Sequence, residues 1–221
     1  MNTNVTIGIL LADDHKIVRE GLRALLETQA RFEVLGEADN GRTIIELARK
    51  LKPDVVIMDV AMPDLNGINA TEQLTLELPE IKVIGLSMHF DKRYVSRMLN
   101  AGAYGYLRKA CASEELIRAI QTVMNNRYYI SDGTSSITVK EKEQYLHSDA
   151  AVDLSVLTPK EREVLQLVAE GKLTKEIALL LNASIKTVEK HRTTIMEKLK
   201  LHSIADLTKY ALREGLTSLD E

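Results

Sequence analysis

Asp13, Asp14, Asp59, Ser87 and Lys109 are the residues of this chain best suited to chemistry, because each stands where a short apolar run ends. Brought together, they would offer three carboxylates, one hydroxyl and one ammonium. That set suits a hard divalent cation and a phosphoryl group. Mg²⁺ takes oxygen ligands in octahedral geometry, usually one or two carboxylates with waters and phosphate oxygens. An aspartate oxygen that attacks phosphorus forms an acyl phosphate. Phosphoryl transfer is mostly positioning and charge neutralisation. Taken singly, each residue has a plainer explanation. Adjacent aspartates after a strand often form a turn, with Asp14 capping a helix that starts near His15. A lone Lys109 is ordinarily a solvated charge.

The elements that must position these groups are legible as an alternation. Apolar runs at 5–11, 34–37, 55–58, 81–86 and 104–107 read as strands. Between them lie amphipathic stretches at 17–29, 41–51, 65–78 and 91–101, and Ser113 opens another as N-cap, with Glu114 and Glu115 in its first turn. Ile17, Val18, Leu22, Leu25 and Leu26 form the apolar stripe of the first helix. Pro53 and Pro79 stop two helices, and Gly102 stops a third. Continuous apolar strands alternating with helices call for a parallel sheet covered on both faces. Ligands of such sheets bind outside the carboxyl ends of the strands, where all five chemical residues would lie.

Composition narrows the class. The hydrophobic fraction of 45% is ordinary for a globular protein, and with no Trp and only 2 Phe the cores must be aliphatic. No apolar stretch is long enough to span a membrane, and no signal peptide is visible, so a cytoplasmic protein without a membrane partner is expected. A single cysteine, Cys111, excludes an intrachain disulfide framework. The net charge of -3 is uneven: residues 157–200 carry 9 Lys/Arg against 6 Asp/Glu, a mild basic bias. Residues 127–155 are turn-rich and then charged, and read as a linker, part of it helical. Beyond them the pattern is helical only.

The sequences around the chemical residues are specific. Ala12-Asp13-Asp14-His15, Val56-Ile57-Met58-Asp59-Val60-Ala61-Met62-Pro63-Asp64-Leu65-Asn66-Gly67, Leu86-Ser87-Met88 and Gly102-Ala103-Tyr104-Gly105-Tyr106-Leu107-Arg108-Lys109 resemble the receiver domain of two-component response regulators. The resemblance implies a flavodoxin-like α/β fold with a five-stranded parallel sheet of order 2-1-3-4-5 over residues 1–126. It implies phosphorylation of Asp59 by a sensor histidine kinase. Mg²⁺ would be held by Asp14, by Asp13 largely through water, by Asp59 and by the backbone carbonyl of Ala61. Lys109 and Ser87 would bond the phosphoryl group, and Tyr106 would rotate into the space Ser87 vacates. Ser87 stands where Thr is common and keeps its hydroxyl. Ala110 stands where Pro is common, so nothing favours a cis bond there.

In residues 156–221, Thr158, Pro159 and Glu161 form a capping-box start, and Gly171 ends that helix. Thr174 is placed to cap a short helix, and Ser184 a longer one after the turn Asn182-Ala183. Ile185, Val188, Ile195 and Leu199 lie largely on one face of the latter, leaving Lys186, Glu189, Lys190 and Thr193 on a polar face. A generic helical bundle has the same periodicity, but two helices joined by a short turn also fit a helix-turn-helix, whose second helix enters the major groove. Leu157-Thr158-Pro159-Lys160-Glu161-Arg162-Glu163-Val164-Leu165, Glu170-Gly171-Lys172, Lys175-Glu176-Ile177-Ala178 and Ser184–Arg192 resemble the LuxR-type domain of NarL/FixJ response regulators, an all-α four-helix domain. Glu189, Lys190 and Thr193 would face base edges, and Lys172, Lys175, Lys186 and Arg192 phosphates. Leu173 stands where a small polar residue is common. The last helix, with Ile204, Leu207 and Ala211, would pair with its twin in a homodimer on promoter DNA or simply pack on its own domain. RNA polymerase is a further candidate partner.

Two readings of other classes compete with a phosphorylation-controlled transcription regulator. An aspartate-nucleophile phosphatase needs a second acid two residues after the nucleophile; Ala61 occupies that position. A sensor of a small signal molecule would need an apolar pocket in place of a charged one.

Overall fold

The computed structural model describes residues 6–88, 92–111, 113–131 and 156–217. Strands β1 (Ile7–Ala12), β2 (Phe32–Ala38), β3 (Val55–Asp59), β4 (Lys82–Ser87) and β5 (Gly105–Arg108) alternate with helices α1 (Lys16–Glu27), α2 (Gly41–Leu51), α3 (Gly67–Glu77), α4 (Lys92–Asn100) and α5 (Ser113–Met124). All pairings are parallel, and the order is β2-β1-β3-β4-β5-β6. The expected doubly wound sheet is thus present, with one strand more than expected. β6 (Tyr129–Ile130) pairs with β5, Gly105 opposite Tyr129. The stretch 127–155 therefore starts as part of the sheet. Two residues are too short for a periodicity signal, and only the free edge of β5 makes them a strand. The helix expected within the rest of that stretch falls outside the described residues.

Period-two alternation divides the central strands between two cores. Val56 and Met58 face α2, α3 and α4, with Ile44, Ala48, Leu74 and Met98 around them. Val55 and Ile57 face α1 and α5, with Leu26, Leu116, Ile120 and Val123. Burial on both faces explains why these strands read as unbroken apolar runs. Ile17 departs from expectation: it is 80% exposed. Adjacent positions 17 and 18 lie about 100° apart on a helix, and the buried stripe follows Val18, Leu22, Leu25 and Leu26.

The C-terminal unit contains α6 (Pro159–Ala169), α7 (Thr174–Leu180), α8 (Ile185–Leu199) and α9 (Ile204–Arg213). Thr158 and Glu161 form the capping box, with Pro159 at the first position. Its core joins Leu157, Val164, Leu165, Ile177, Val188, Ile195, Leu207 and Ala211. Thr174 does not cap α7. The N-cap position falls on Leu173, whose N–H donates to the Glu176 carboxylate at 2.7 Å.

Candidate phosphoryl site and DNA-facing helices

The sheet order reverses between β1 and β3, so a crevice opens at their carboxyl ends. Asp13 and Asp14 follow β1, Asp59 ends β3, Ser87 ends β4, and Lys109 follows β5. Lys109 Nζ lies 2.8 Å from Asp13 Oδ2 and 2.7 Å from Asp59 Oδ2. Register explains this convergence, since Asp59 pairs with Leu86, Ser87 with Arg108, and Lys109 N–H donates to the Ser87 carbonyl at 2.8 Å. Asp13, Asp59 and Ser87 are all buried.

The capping explanation of the two aspartates does not hold here. The N-cap of α1 is His15 with no side-chain cap; its N–H donates to Asp13 Oδ1 at 2.9 Å. Asp14 makes no cap and meets His15 Nδ1 at 2.8 Å.

Burial drives Asp59 up to about 7, the Asp13 charge pushes the same way, and Lys109 opposes both. Burial works to lower Lys109, but the Asp59 and Asp13 carboxylates outweigh it and leave the ammonium more basic than usual. Donor atoms of Asp13, Asp14, His15 and Asp59 lie within 4.8 Å of one another. Buried Asp13 Oδ2 has no hydrogen-bond partner among the described residues and meets the Lys109 ammonium at 2.8 Å. Clustered carboxylate oxygens of this kind fit a hard divalent cation, whose charge would relieve their mutual repulsion.

Beyond Asp59 at the end of β3, a tight loop leads into α3. Val60 N–H donates to the Leu86 carbonyl at 2.9 Å, and Gly67 N–H to the Val60 carbonyl at 3.0 Å. A Cβ at Gly67 would collide with the Asp59 carbonyl, so the loop closes on β3 only because residue 67 is glycine. Ala61 N–H points to Asp59 Oδ1 at 3.3 Å. Tyr106 is fully buried among core residues that include Met98 and Val95.

In the C-terminal unit, Lys186, Glu189, Lys190 and Thr193 are exposed along α8, as is Lys175 on α7. Arg192 is only partly exposed, and its Nη1 donates to the Thr174 hydroxyl at 2.9 Å, bracing α7 against α8. Lys172 lies 3.3 Å from Asp64 of the β3–α3 loop.

That ion pair belongs to a contact between the two units which the sequence did not signal. α6 lies against the β3–α3 loop and α3. Gln166, fully buried, accepts from Asn66 N–H and Asn66 Nδ2, each at 2.9 Å, and donates to the Met62 carbonyl at 2.9 Å. Asp64 N–H donates to Glu170 at 3.3 Å. Arg162 pairs with Glu72, and Arg42 with Glu163. Farther along, Arg97 of α4 donates to the Glu214 carbonyl. The exposed polar face of α8 takes no part in these contacts. Among the described residues no helix is long and apolar enough to cross a membrane.

Residues 9–121 match the response regulator receiver domain, and residues 155–211 match the LuxR family of bacterial regulatory proteins. The chain is a response regulator of the NarL/FixJ type. This response regulator is 38% identical to the transcriptional regulatory protein MctR of Rhizobium johnstonii over 99% of both chains. It is 37% identical to the oxygen regulatory protein NreC of Staphylococcus haemolyticus, over 94% of this chain and 98% of NreC. Among solved structures, RcsB of Salmonella enterica serovar Typhimurium, bound to promoter rprA with the phosphomimetic BeF3-, is similar with a TM-score of 0.61 at 30% identity, covering 93% of this chain and 98% of that one. The response regulator thus joins a receiver to a LuxR-type DNA-binding domain, and it is a transcription regulator rather than an enzyme in its own right.

Proposed function

We propose that Asp59 is the phosphoacceptor of this regulator and that a sensor histidine kinase is the donor. An Asp59 carboxylate oxygen forms the new P–O bond as the P–N bond to the kinase imidazole breaks, and the electron pair stays on the imidazole nitrogen. Lys109 is placed to neutralise the added charge from its bridge between Asp13 and Asp59, the observation that carries this reading. Ser87, buried at the end of β4, supplies a hydroxyl to a second phosphoryl oxygen. Asp13, Asp14, Asp59 and the Ala61 carbonyl would hold Mg²⁺, which supplies charge neutralisation and keeps Asp59 in its carboxylate form. The same pocket supports Mg²⁺-dependent self-phosphorylation from small acyl phosphates and self-dephosphorylation. Tyr106, packed beside Gly85 and Met98, is the residue through which the Ser87 end of β4 would influence the neighbouring face.

The function divides along the chain into a receiver at 1–126, extended by β6 to Ile130, a linker over the rest of 127–155 and a DNA-binding domain at 156–221. Glu189, Lys190 and Thr193 would read base edges in the major groove, while Lys172, Lys175, Lys186 and Arg192 would set the register on phosphates. RcsB is seen on promoter DNA; double-stranded promoter DNA is the proposed partner here, bound by a homodimer. Half-exposed Ile204 on α9 offers apolar surface for pairing. RNA polymerase would be the downstream partner, and the setting would be cytoplasmic.

Acetyl phosphate and Mg²⁺ test the site. One phosphoryl group per chain is expected on the wild type and none on Asp59→Asn. Equal labelling of both proteins would overturn the assignment.

A further inference from the structure

His15 stands beside the phosphoryl pocket with an imidazole that the function above does not use. It follows Asp13 and Asp14 directly and is the N-cap residue of α1, with an extended backbone and no side-chain cap. Its N–H donates to Asp13 Oδ1 at 2.9 Å. Its Nδ1 lies 2.8 Å from Asp14 Oδ1 and 3.4 Å from Asp13 Oδ1. The ring makes no other hydrogen bond among the described residues. These spacings are those of a coordination shell. Neighbouring ligands of an octahedron with bonds of about 2.1 Å are separated by about 3 Å, and opposite ligands by about 4.2 Å. The donor atoms of Asp13, Asp14, His15 and Asp59 all lie within 4.8 Å of one another, so one small cation can meet all four after slight side-chain shifts. A second observation also asks for a cation. Asp13 is 1% exposed, and its Oδ2, though near Lys109 Nζ, has no hydrogen-bond partner among the described residues. Buried polar atoms are otherwise nearly always hydrogen-bonded.

We propose that His15 Nδ1 is a ligand of the cation at this site and gives the regulator a preference for divalent first-row transition ions over Mg²⁺. The inference deepens the function proposed above and rests on the cation pocket it contains. Oxygen ligands suit Mg²⁺, whereas an imidazole nitrogen suits ions such as Ni²⁺ and Zn²⁺. One nitrogen added to three carboxylates strengthens binding of the second class. Mg²⁺ dehydrates reluctantly and keeps several waters, so it gains little from the ring. The His15 side chain is 56% exposed, and it can turn toward an ion without disturbing either core of the receiver. Mg²⁺ still enters the pocket through the carboxylates; the imidazole decides how strongly a transition ion displaces it.

Calorimetry on the full-length protein, with Mg²⁺ or Ni²⁺ alone, tests the preference. His15→Ala should lower Ni²⁺ affinity about ten- to a hundredfold and change Mg²⁺ affinity by less than about twofold. The ring is exposed and caps no helix, so its loss spares the fold, and retained Mg²⁺ affinity shows the pocket intact. In the Co²⁺-loaded wild type, paramagnetically shifted imidazole proton signals should appear in the NMR spectrum. They should vanish in both His15→Ala and Asp14→Ala. The second substitution separates this site from the chain's other histidines, because an ion held by those alone would ignore Asp14. Equal losses for Mg²⁺ and Ni²⁺ in His15→Ala would overturn the preference, since a merely electrostatic partner affects every divalent cation alike. Unchanged Ni²⁺ affinity, or shifted signals that persist in His15→Ala, would overturn ligation. A wild type that shows the His15-dependent Ni²⁺ binding yet takes no phosphoryl group from acetyl phosphate would sink the phosphoacceptor reading and leave the ligand assignment standing.

Discussion

The proposed phosphoryl pocket and the proposed DNA-facing surface of this regulator are built in opposite ways. The pocket gathers Asp13, Asp59, Ser87 and Lys109 from four strand ends, spread over nearly a hundred positions of chain, and buries all but Lys109, which is partly buried. Of the side chains proposed to face DNA, Lys175, Lys186, Glu189, Lys190 and Thr193 come from two consecutive helices and stand in solvent. Burial makes the pocket's charges interact strongly, raising Asp59 to about 7 and tying Lys109 to two carboxylates. Along α8, water and salt screen each charge from the next. Removing one member should therefore disturb the whole pocket, whereas removing one side chain of α8 should subtract a single interaction with DNA.

The sharpest contrast is expected from Lys109→Met. It leaves buried Asp13 and Asp59 without their counter-charge, and loss of one partner of a buried pair costs about 3–5 kcal/mol. Urea unfolding at pH 8 without divalent cation should show that loss; a change below about 1 kcal/mol would mean the pocket is as well solvated as α8.

The pH dependence of stability follows next in size. Asp59 holds its proton more tightly folded than unfolded, rising from 3.8 to about 7. Its contribution to stability is complete below about pH 4 and is lost as pH climbs through 7, a loss on the order of 2–4 kcal/mol. The thermal midpoint without cation should fall between pH 5.5 and 8. Asp59→Asn should flatten that part of the curve, and Mg²⁺ should restore the wild type at pH 8. An identical slope in both proteins would remove Asp59 as its source.

On the other surface, Lys190→Ala should weaken promoter binding by about 1–3 kcal/mol, the range of a base-edge contact, with phosphorylation unchanged. The smallest effect belongs to Lys186→Ala. With one fewer cation against the DNA backbone, the slope of log affinity against log salt should shrink by about 1, uniformly across sequences. Any effect of either substitution on labelling by acetyl phosphate would break the separation between the two regions.

Element types and their order were legible because buried parallel strands and amphipathic helices leave periodic signals. Lys172 and Arg192 show where legibility stops. Both are basic residues in a basic stretch and are proposed to meet phosphates; local sequence does not show that the folded chain also gives Lys172 an ion pair with Asp64 and Arg192 a hydrogen bond to Thr174. Gln166 was invisible for the opposite reason. A glutamine among apolar residues on one helix carries no signal until another surface arrives to satisfy it. Tyr129 and Ile130 likewise became a strand only because β5 offers a free edge.

By its own pattern, the amino-acid order determined the alternation of strands and helices, the two domain types and the side chains at the strand ends, since each depends on neighbours within a turn or a pleat. Only the tertiary structure decided that Lys109 bridges Asp13 and Asp59, that burial raises Asp59 to about 7, and that α6 holds the loop that follows Asp59. Those are properties of distance and exclusion of water between remote segments, and neither quantity is written in local sequence.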